Sequence, residues 1–310
     1  MTSHSVKESD GPAWILNGHS VHVEEAKRHI TRVSDEYGFE LHVVVTRHGD
    51  NISALAARAL SDNRRLLVAG GGDGTVSAVA GTLVGTESNL GVLPMGTLNH
   101  FAKDLGIPLN LEAAVRNVFA GKVKKVDVGE VNGRVFVNNS GAGFYPHFVR
   151  QREEQERHGY VKRVAFVLAL RSIVRRYLRL RLRVHMDRAE ALEHVTPFLF
   201  VGNNRYETSG LAAGTRTSLD AGRLWVCTAP RTGRQNFVRT ALSALAGRPD
   251  EGLHVLEVED ISVEPGTPRV NVSTDGEVSV MSAPLHYRIR PQALGVLVPA
   301  EASTITSARF

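Results

Sequence analysis

The chain has one cysteine, Cys227, in 310 residues. A lone thiol excludes an internal disulfide framework and a cysteine-rich zinc site. It fits a reducing compartment, so a cytoplasmic protein is expected. Long apolar runs are missing too. The best, 164–170, stops at Arg171, far short of the roughly 18 residues of a membrane-spanning helix. The opening MTSHSVKESDGP lacks the apolar core of a signal peptide. There is no internal repeat and no low-complexity tract. What remains is ordinary globular composition, 42% hydrophobic and 22% charged, which excludes a largely disordered chain. At about 150 residues per domain the length suggests two domains, enough to bury a core without staples. The net charge of +5 points to an anionic partner: nucleotide, nucleic acid or membrane surface.

Hydrophobic periodicity divides the chain in two. Residues 13–17 (AWILN) read as a short buried strand and 23–37 as a helix with Ile30, Val33 and Tyr37 at helical spacing. Strands at 39–46, 64–70 and 90–94 alternate with helices at 52–60, from about 76, and after 97. This β-α-β-α-β-α-β order predicts an open parallel sheet covered on both faces. Beyond about residue 122 the texture becomes β-rich. Asn132-Gly133 separates two such runs, a hairpin signal. Residues 178–186 alternate strictly between apolar and basic, as a half-solvated strand does. Further strands are expected at 195–202, 223–229, 253–263, 269–274 and 284–290, with helices at 147–177 and 234–246. Antiparallel structure suits this half. The expected fold is therefore an N-terminal doubly wound α/β domain over 12–125, completed by residues 291–310, and a C-terminal antiparallel β-sandwich over 126–290.

The most informative segment is LLVAGGGDGTVSAVAGTL, 66–83. Gly70, Gly71, Gly72 and Gly74 let backbone N–H groups approach an anion closely. A helix start after Thr75 adds its dipole. Asp73 inside the turn disfavours bound phosphate unless a cation or a hydrogen bond intervenes, and magnesium would serve. The alternative is a tight strand-to-helix turn with Asp73 as the cap. No Gly-Lys-Ser/Thr follows, so the turn is not a Walker A loop. A second strand end, LGVLPMGTLNHFAKDLGIP at 90–108, carries Thr97 and Asn99. Either could bond a nucleotide's phosphate, and Asn99 a ribose. Alternatively Thr97 caps a helix, worth about 1 kcal/mol.

Together, GGGDGT at 70–75 and GVLPMGTLNHFA at 91–102 resemble the diacylglycerol-kinase catalytic family. That family includes bacterial soluble lipid kinases and sphingosine kinases and is distantly related to NAD kinases and phosphofructokinases. The likeness extends to VVVTRHGDNISALAARA (43–59), VDVGEVNGRVFVNNSGAGF (126–144) and VSTDGE (272–277). It implies an NAD kinase/phosphofructokinase-like first domain that binds ATP with magnesium. Contacts to the nucleotide would come from Asn17, Thr46, Gly71, Gly72, Asp73, Gly74, Thr75, Val76, Ser77, Thr97 and Asn99. It implies a lipid with a free hydroxyl as acceptor, in phospholipid metabolism. Asp275 and Glu277 fall on the family's base motif. Two residues apart, they would share one side of an extended chain. Glu277 is favoured as the proton acceptor, Asp275 and Asp73 as catalytic support, and a turn between strands is the plain alternative.

Departures from the family's pattern are specific. Asn17-Gly18 replaces Asn-Pro, Ser77 replaces Asn, and Asn99-His100 replaces Asn-Asp. In LDAGRLWV, 219–226, Ala221 stands where the lipid kinases usually have a structural-magnesium aspartate, leaving Asp220 beside it as the candidate ligand. Residues 150–183 hold eleven Arg or Lys against three Glu, which suits peripheral contact with an anionic bilayer or a solvated face. They carry only Tyr160 and Tyr177 for stacking and no RNA-binding motif, so no nucleic-acid partner is expected. A homodimer is a candidate assembly. Two other functions compete with the lipid kinase: an NAD kinase-like enzyme with a soluble acceptor, and a non-catalytic nucleotide- or membrane-binding protein.

Overall fold

A computed structural model describes residues 11–143, 180–185, 192–196, 198–207, 214–228 and 253–300. The helices expected at 147–177 and 234–246, and most of the basic stretch 150–183, lie outside the described residues. The chain forms two compact units, Met1–Val126 with Gln292–Phe310, and Asp127–Pro291.

The first unit opens with β1 (Ala13–Leu16), α1 (Val23–Tyr37), β2 (His42–Val45), α2 (Ile52–Ser61), β3 (Leu66–Gly71), α3 (Asp73–Leu83) and β4 (Asn89–Pro94). It continues through α4 (His100–Asp104), α5 (Leu111–Ala120) and the start of β5 (Lys122–Val131). The strands are parallel in the order β2-β1-β3-β4. Trp14, Leu16 and Val68 pack with Ile30 and Val33 of α1 and Ala114, Val115 and Val118 of α5. The pleat turns the intervening Ile15 and Leu67 to the opposite face, and both are fully buried. Tyr37, at the end of α1's apolar spacing, is 44% exposed and stacks on Phe119 at 4.9 Å instead of entering the core. Asn51 and Asn110 cap α2 and α5 by accepting the N–H groups of Ala54 and Ala113.

The second unit contains the end of β5, β6 (Arg134–Phe136), β7 (Asn139–Gly143), β8 (Leu180–His185), β9 (Leu192–Thr196), β10 (Phe198–Asn203) and β11 (Leu224–Thr228). Then come β12 (His254–Val258), β13 (Asp260–Pro265), β14 (Arg269–Thr274), β15 (Glu277–Ser282) and the start of β16 (Leu285–Val298). One sheet runs β12-β11-β10-β7-β14-β15, antiparallel throughout. Facing it, β16 pairs with β13 and β13 with β8, also antiparallel. Ala142, Leu199, Val201, Leu224 and Val272 meet Val131, Phe136, Ile261, Leu285 and Tyr287 in one core. This is the sandwich the sequence predicts. As expected, β5 and β6 form a hairpin through Asn132-Gly133, both at positive φ.

Four expectations need correction. The run at 253–263 is two strands, because the chain changes sheet at Glu259, with β12 on β11 and β13 on β16. The strand at 284–290 continues to Val298. Its first half is antiparallel to β13, and its second half lies parallel to β4 through Gly295 and Val296. Residues 277–282 form a strand that the periodicity did not single out, since it zips onto β14 across a two-residue turn. Helix α3 starts at Asp73 rather than near Val76, with Gly72 as its cap.

Candidate functional site

In an open parallel sheet, ligands bind beyond the strands' carboxyl ends, where the strand order reverses. Here that point lies between β1 and β3, since β2 falls on one side and β4 on the other. Asn17 follows β1, Thr46 follows β2, Gly72 follows β3 and Met95 follows β4. The topology therefore gathers most of the expected nucleotide contacts at one end of one sheet.

Their hydrogen bonds tie the loops together. Asn17 N–H donates to the Gly70 carbonyl at 2.7 Å, and its amide reaches the Thr75 hydroxyl at 3.5 Å. Buried Thr46 accepts the Gly18 N–H at 3.2 Å. A Cβ at Gly18 would fall on the Thr46 carbonyl, so glycine in place of the family's proline is required by the path the chain takes here. At Gly71 a Cβ would strike the Thr75 side chain, and at Gly96 it would strike the Cα of Gly72. The β3 and β4 loops thus touch backbone to backbone. No side chain caps α3, and the first turn of a helix presents N–H groups that have no intrahelical acceptor; Gly74 and Thr75 belong to that turn. Val76 and Ser77 complete that part of the helix, Val76 buried and Ser77 half-buried.

The second loop corrects two expectations. Thr97 is exposed and is not the cap of α4. That position is Asn99, at φ +50°. Its side chain accepts the Gly96 N–H at 3.0 Å and donates to the Gly96 carbonyl at 2.8 Å. Both ends of the amide are used to shape the loop. Asp73 does not cap its own helix. Its carboxylate accepts the N–H groups of His100 and Phe101 at 3.2 and 3.1 Å, a negative charge at the start of α4. This supplies one of the two remedies anticipated for an acid in a phosphate turn, the hydrogen bond.

Asp275 and Glu277 lie in the second unit and do not share a side. Asp275 sits at φ +48° and Gly276 at +91°, in the turn between β14 and β15, so the chain is not extended there. The Asp275 carboxylate accepts from Val137, Asn138 and Asn139 N–H groups at 2.7, 2.8 and 3.0 Å. Glu277 begins β15, is 62% exposed, and pairs through Oε2 with Arg134 at 2.6 Å.

For a metal, the donor sets differ between the two candidates. One carboxylate in a glycine turn, Asp73, would fit a magnesium ion accompanying a nucleotide, since such ions take one or two carboxylates plus phosphate oxygens and water. A structural ion near Ala221 does not fit. Asp220 accepts from the Ser218 hydroxyl, and the loop closes by hydrogen bonds instead. Ala221 N–H donates to Asn204 Oδ1 at 3.1 Å, and Gly222 N–H to the fully buried Asp127 at 2.7 Å. Among the described residues no three His, Cys, Asp or Glu side chains converge on a metal position.

Residues 13–131 match the diacylglycerol kinase catalytic domain, and 147–298 match the YegS C-terminal NAD kinase beta sandwich-like domain. The chain thus carries a diacylglycerol kinase catalytic domain followed by a YegS-type C-terminal domain. It is 38% identical over 151 residues to the probable lipid kinase YegS of Escherichia fergusonii, covering 46% of this chain and 48% of that protein. It is 38% identical over 142 residues to the probable lipid kinase YegS-like protein of Chromohalobacter salexigens, covering 44% and 45%. The chain's matches span about half the length of these curated relatives. A solved diacylglycerol kinase from Bacillus anthracis str. Sterne superposes with a TM-score of 0.67 at 19% identity, covering 93% of this chain and 97% of that one. At that identity the likeness speaks for the fold. Among the described residues no helix is long and apolar enough to cross a membrane.

Sequence reasoning did not single out Arg134, Asp127 or Arg216. Their partners lie tens to well over a hundred residues away, and none sits in a local pattern. Arg216 is the one arginine in a run of small and polar residues, and it is only 4% exposed. A lone charge without neighbours of its kind was the available signal.

Proposed function

We propose that this protein is an ATP- and magnesium-dependent lipid kinase that transfers the γ-phosphate to a hydroxyl of a diacylglycerol-like or long-chain lipid. The observation that carries the reading is the start of α3, which no side chain caps, at the β1/β3 switch point, walled by the Gly72–Gly96 contact. Phosphoryl transfer asks mainly for positioning and charge stabilisation. The first-turn N–H groups of α3 would receive phosphate oxygens, with Asn17, Thr46 and Thr97 on the surrounding strand ends. Asp73 holds the β3 and β4 loops in one arrangement. Bound magnesium would neutralise the charge that builds on the transferring phosphate. Glu277 would take the proton as the lipid oxygen bonds to phosphorus and the bond to ADP breaks. The fixed, exposed position of Glu277 supports this role over Asp275.

Contact with an anionic membrane through 150–183 belongs to the same proposal. In its strand portion the β8 register places Arg183 opposite Glu193 of β9 and Glu264 of β13. Arg171, Arg175, Arg176 and Arg179, outside the described residues, are therefore the positions expected to carry vesicle binding. Transfer of labelled phosphate from ATP to a total lipid extract, with the product identified by mass spectrometry, tests the central reading. A labelled lipid that requires magnesium supports it. Label on NAD with no lipid dependence would replace it with the soluble-acceptor enzyme.

A further inference from the structure

We propose that Asp275 and Arg216 are paired positioning residues that grip the backbone at 137–139 and so fix the turn that presents Glu277, leaving proton transfer to Glu277 alone. This rests on the kinase reading above and divides a task that the motif leaves shared. The grip uses both polar groups of one residue. Val137 gives its N–H to Asp275 Oδ2 at 2.7 Å and its carbonyl to the Arg216 guanidinium at 2.7 Å. Val137 and Asn138 lie in the bend between β6 and β7, where successive N–H groups converge on one carboxylate. Asn138 repeats the arrangement, N–H to Asp275 at 2.8 Å and side-chain oxygen to Arg216 at 2.7 Å. Asp275 closes the ring by donating its own N–H to the Asn139 carbonyl at 2.8 Å.

Arg216 also bonds the Asn203 carbonyl at 3.1 Å and lies 5.3 Å from the centre of the Tyr206 ring. A buried guanidinium is costly to desolvate, and this one offsets the cost by donating to the Val137 and Asn203 carbonyls and to Asn138 Oδ1. Those donors hold the bend at 137–138 in one arrangement. The two acids of the motif differ in the same terms. Both Asp275 oxygens are occupied by backbone donors, Oδ1 by two of them. Protonation would place an O–H against an N–H and forfeit a bond. Glu277 uses only Oε2, toward Arg134, and its Oε1 has no hydrogen-bond partner among the described residues. One turn residue separates the gripped acid from the exposed one, so loosening the grip moves Glu277 without altering its chemistry.

The test compares Asp275→Asn, Arg216→Met, Arg216→Lys and Glu277→Gln in the full chain. It reads lipid phosphorylation against pH and amide hydrogen exchange at 137–139. Glu277→Gln should erase the rise of kcat/KM with pH. Asp275→Asn and Arg216→Met should lower kcat by about 10- to 100-fold, the scale of a small misplacement of a reacting group. They should keep the rising limb and the KM for ATP, and speed exchange at 137–139. Arg216→Lys should recover part of both losses. A flattened pH profile in Asp275→Asn would make Asp275 the acceptor and overturn the proposal. So would wild-type exchange and kcat in both Asp275→Asn and Arg216→Met. If Arg216→Met does not fold, Asp275→Asn and Arg216→Lys decide it by the same readouts. A wild-type chain that phosphorylates no lipid would sink the kinase reading instead, while the exchange data would still decide the grip.

Discussion

The two units build their polar sites by opposite means. In the α/β unit, the surface offered to an anion is main chain: a glycine turn, a helix start that no side chain caps, and two loops in contact at Gly72 and Gly96. Its one acid, Asp73, bonds backbone N–H groups across the loops. In the sandwich, the work falls to side chains reaching across strands: Asp275 to 137–139, Arg216 to Val137 and Asn138, Glu277 to Arg134. Backbone donors are fixed once the fold forms and suit a ligand whose charge is constant, such as phosphate. A carboxylate can change its protonation and suits a step in which a proton moves. On the proposed kinase reading, nucleotide binding falls to the first unit and proton handling to the second.

The largest expected effect breaks that division at its chemical end. Glu277→Gln should reduce lipid phosphorylation by about 10²- to 10⁴-fold, the usual range for a general base, while ATP affinity measured by equilibrium dialysis stays at the wild-type value. Next comes the backbone contact. Gly96→Ala has no space, because its Cβ would meet Gly72, and overpacking of this kind costs about 1–3 kcal/mol. Gly72→Ala sits at φ −86° with its nearest neighbour at 3.5 Å and should unfold in urea close to wild type. Equal urea midpoints for the two variants would refute the close approach. Asp73→Ala removes the acceptor for the His100 and Phe101 N–H groups and should cost about 1 kcal/mol in the same assay, the scale of a lost hydrogen bond.

How far these sites could be read in advance follows from how they are made. The glycine turn, the parallel α/β order and the Asn132-Gly133 hairpin are local in sequence, and each was legible there. The expectation about Asp275 and Glu277 failed for a related reason. Alternation assumes an extended chain, and the Asp-Gly turn between β14 and β15 reverses it. The alternative of Thr97 as a helix cap failed because Asn99, in the αL conformation, takes that position, and its bonds to Gly96 follow from loop closure that no spacing encodes. Arg216 and Asp127 were missed because side-chain networks join distant segments.

The smallest effect lies on the outer face of the α/β unit. Arg116 bonds Glu36 at 2.7 Å and Glu112 at 3.2 Å, and Arg32 bonds Glu112 at 2.7 Å. Hydrogen bonds from Arg116 and Arg32 lower the pKa values of Glu36 and Glu112 respectively. A lowered native value contributes stability above the unfolded value, here about 4.5, and loses it as pH falls through the native value. Arg116→Ala should therefore shift the urea midpoint slightly at pH 7 and not at pH 2. High salt should shrink the pH 7 shift, since these groups are exposed and screened. A shift that grows toward low pH would contradict the assignment.

The most direct test of the division between the units is amide hydrogen exchange with and without a non-hydrolysable ATP analogue and magnesium. The nucleotide should slow exchange at 70–77 and 95–99 and leave 275–282 unchanged. Protection at 275–282 with none at the glycine turn would contradict that division.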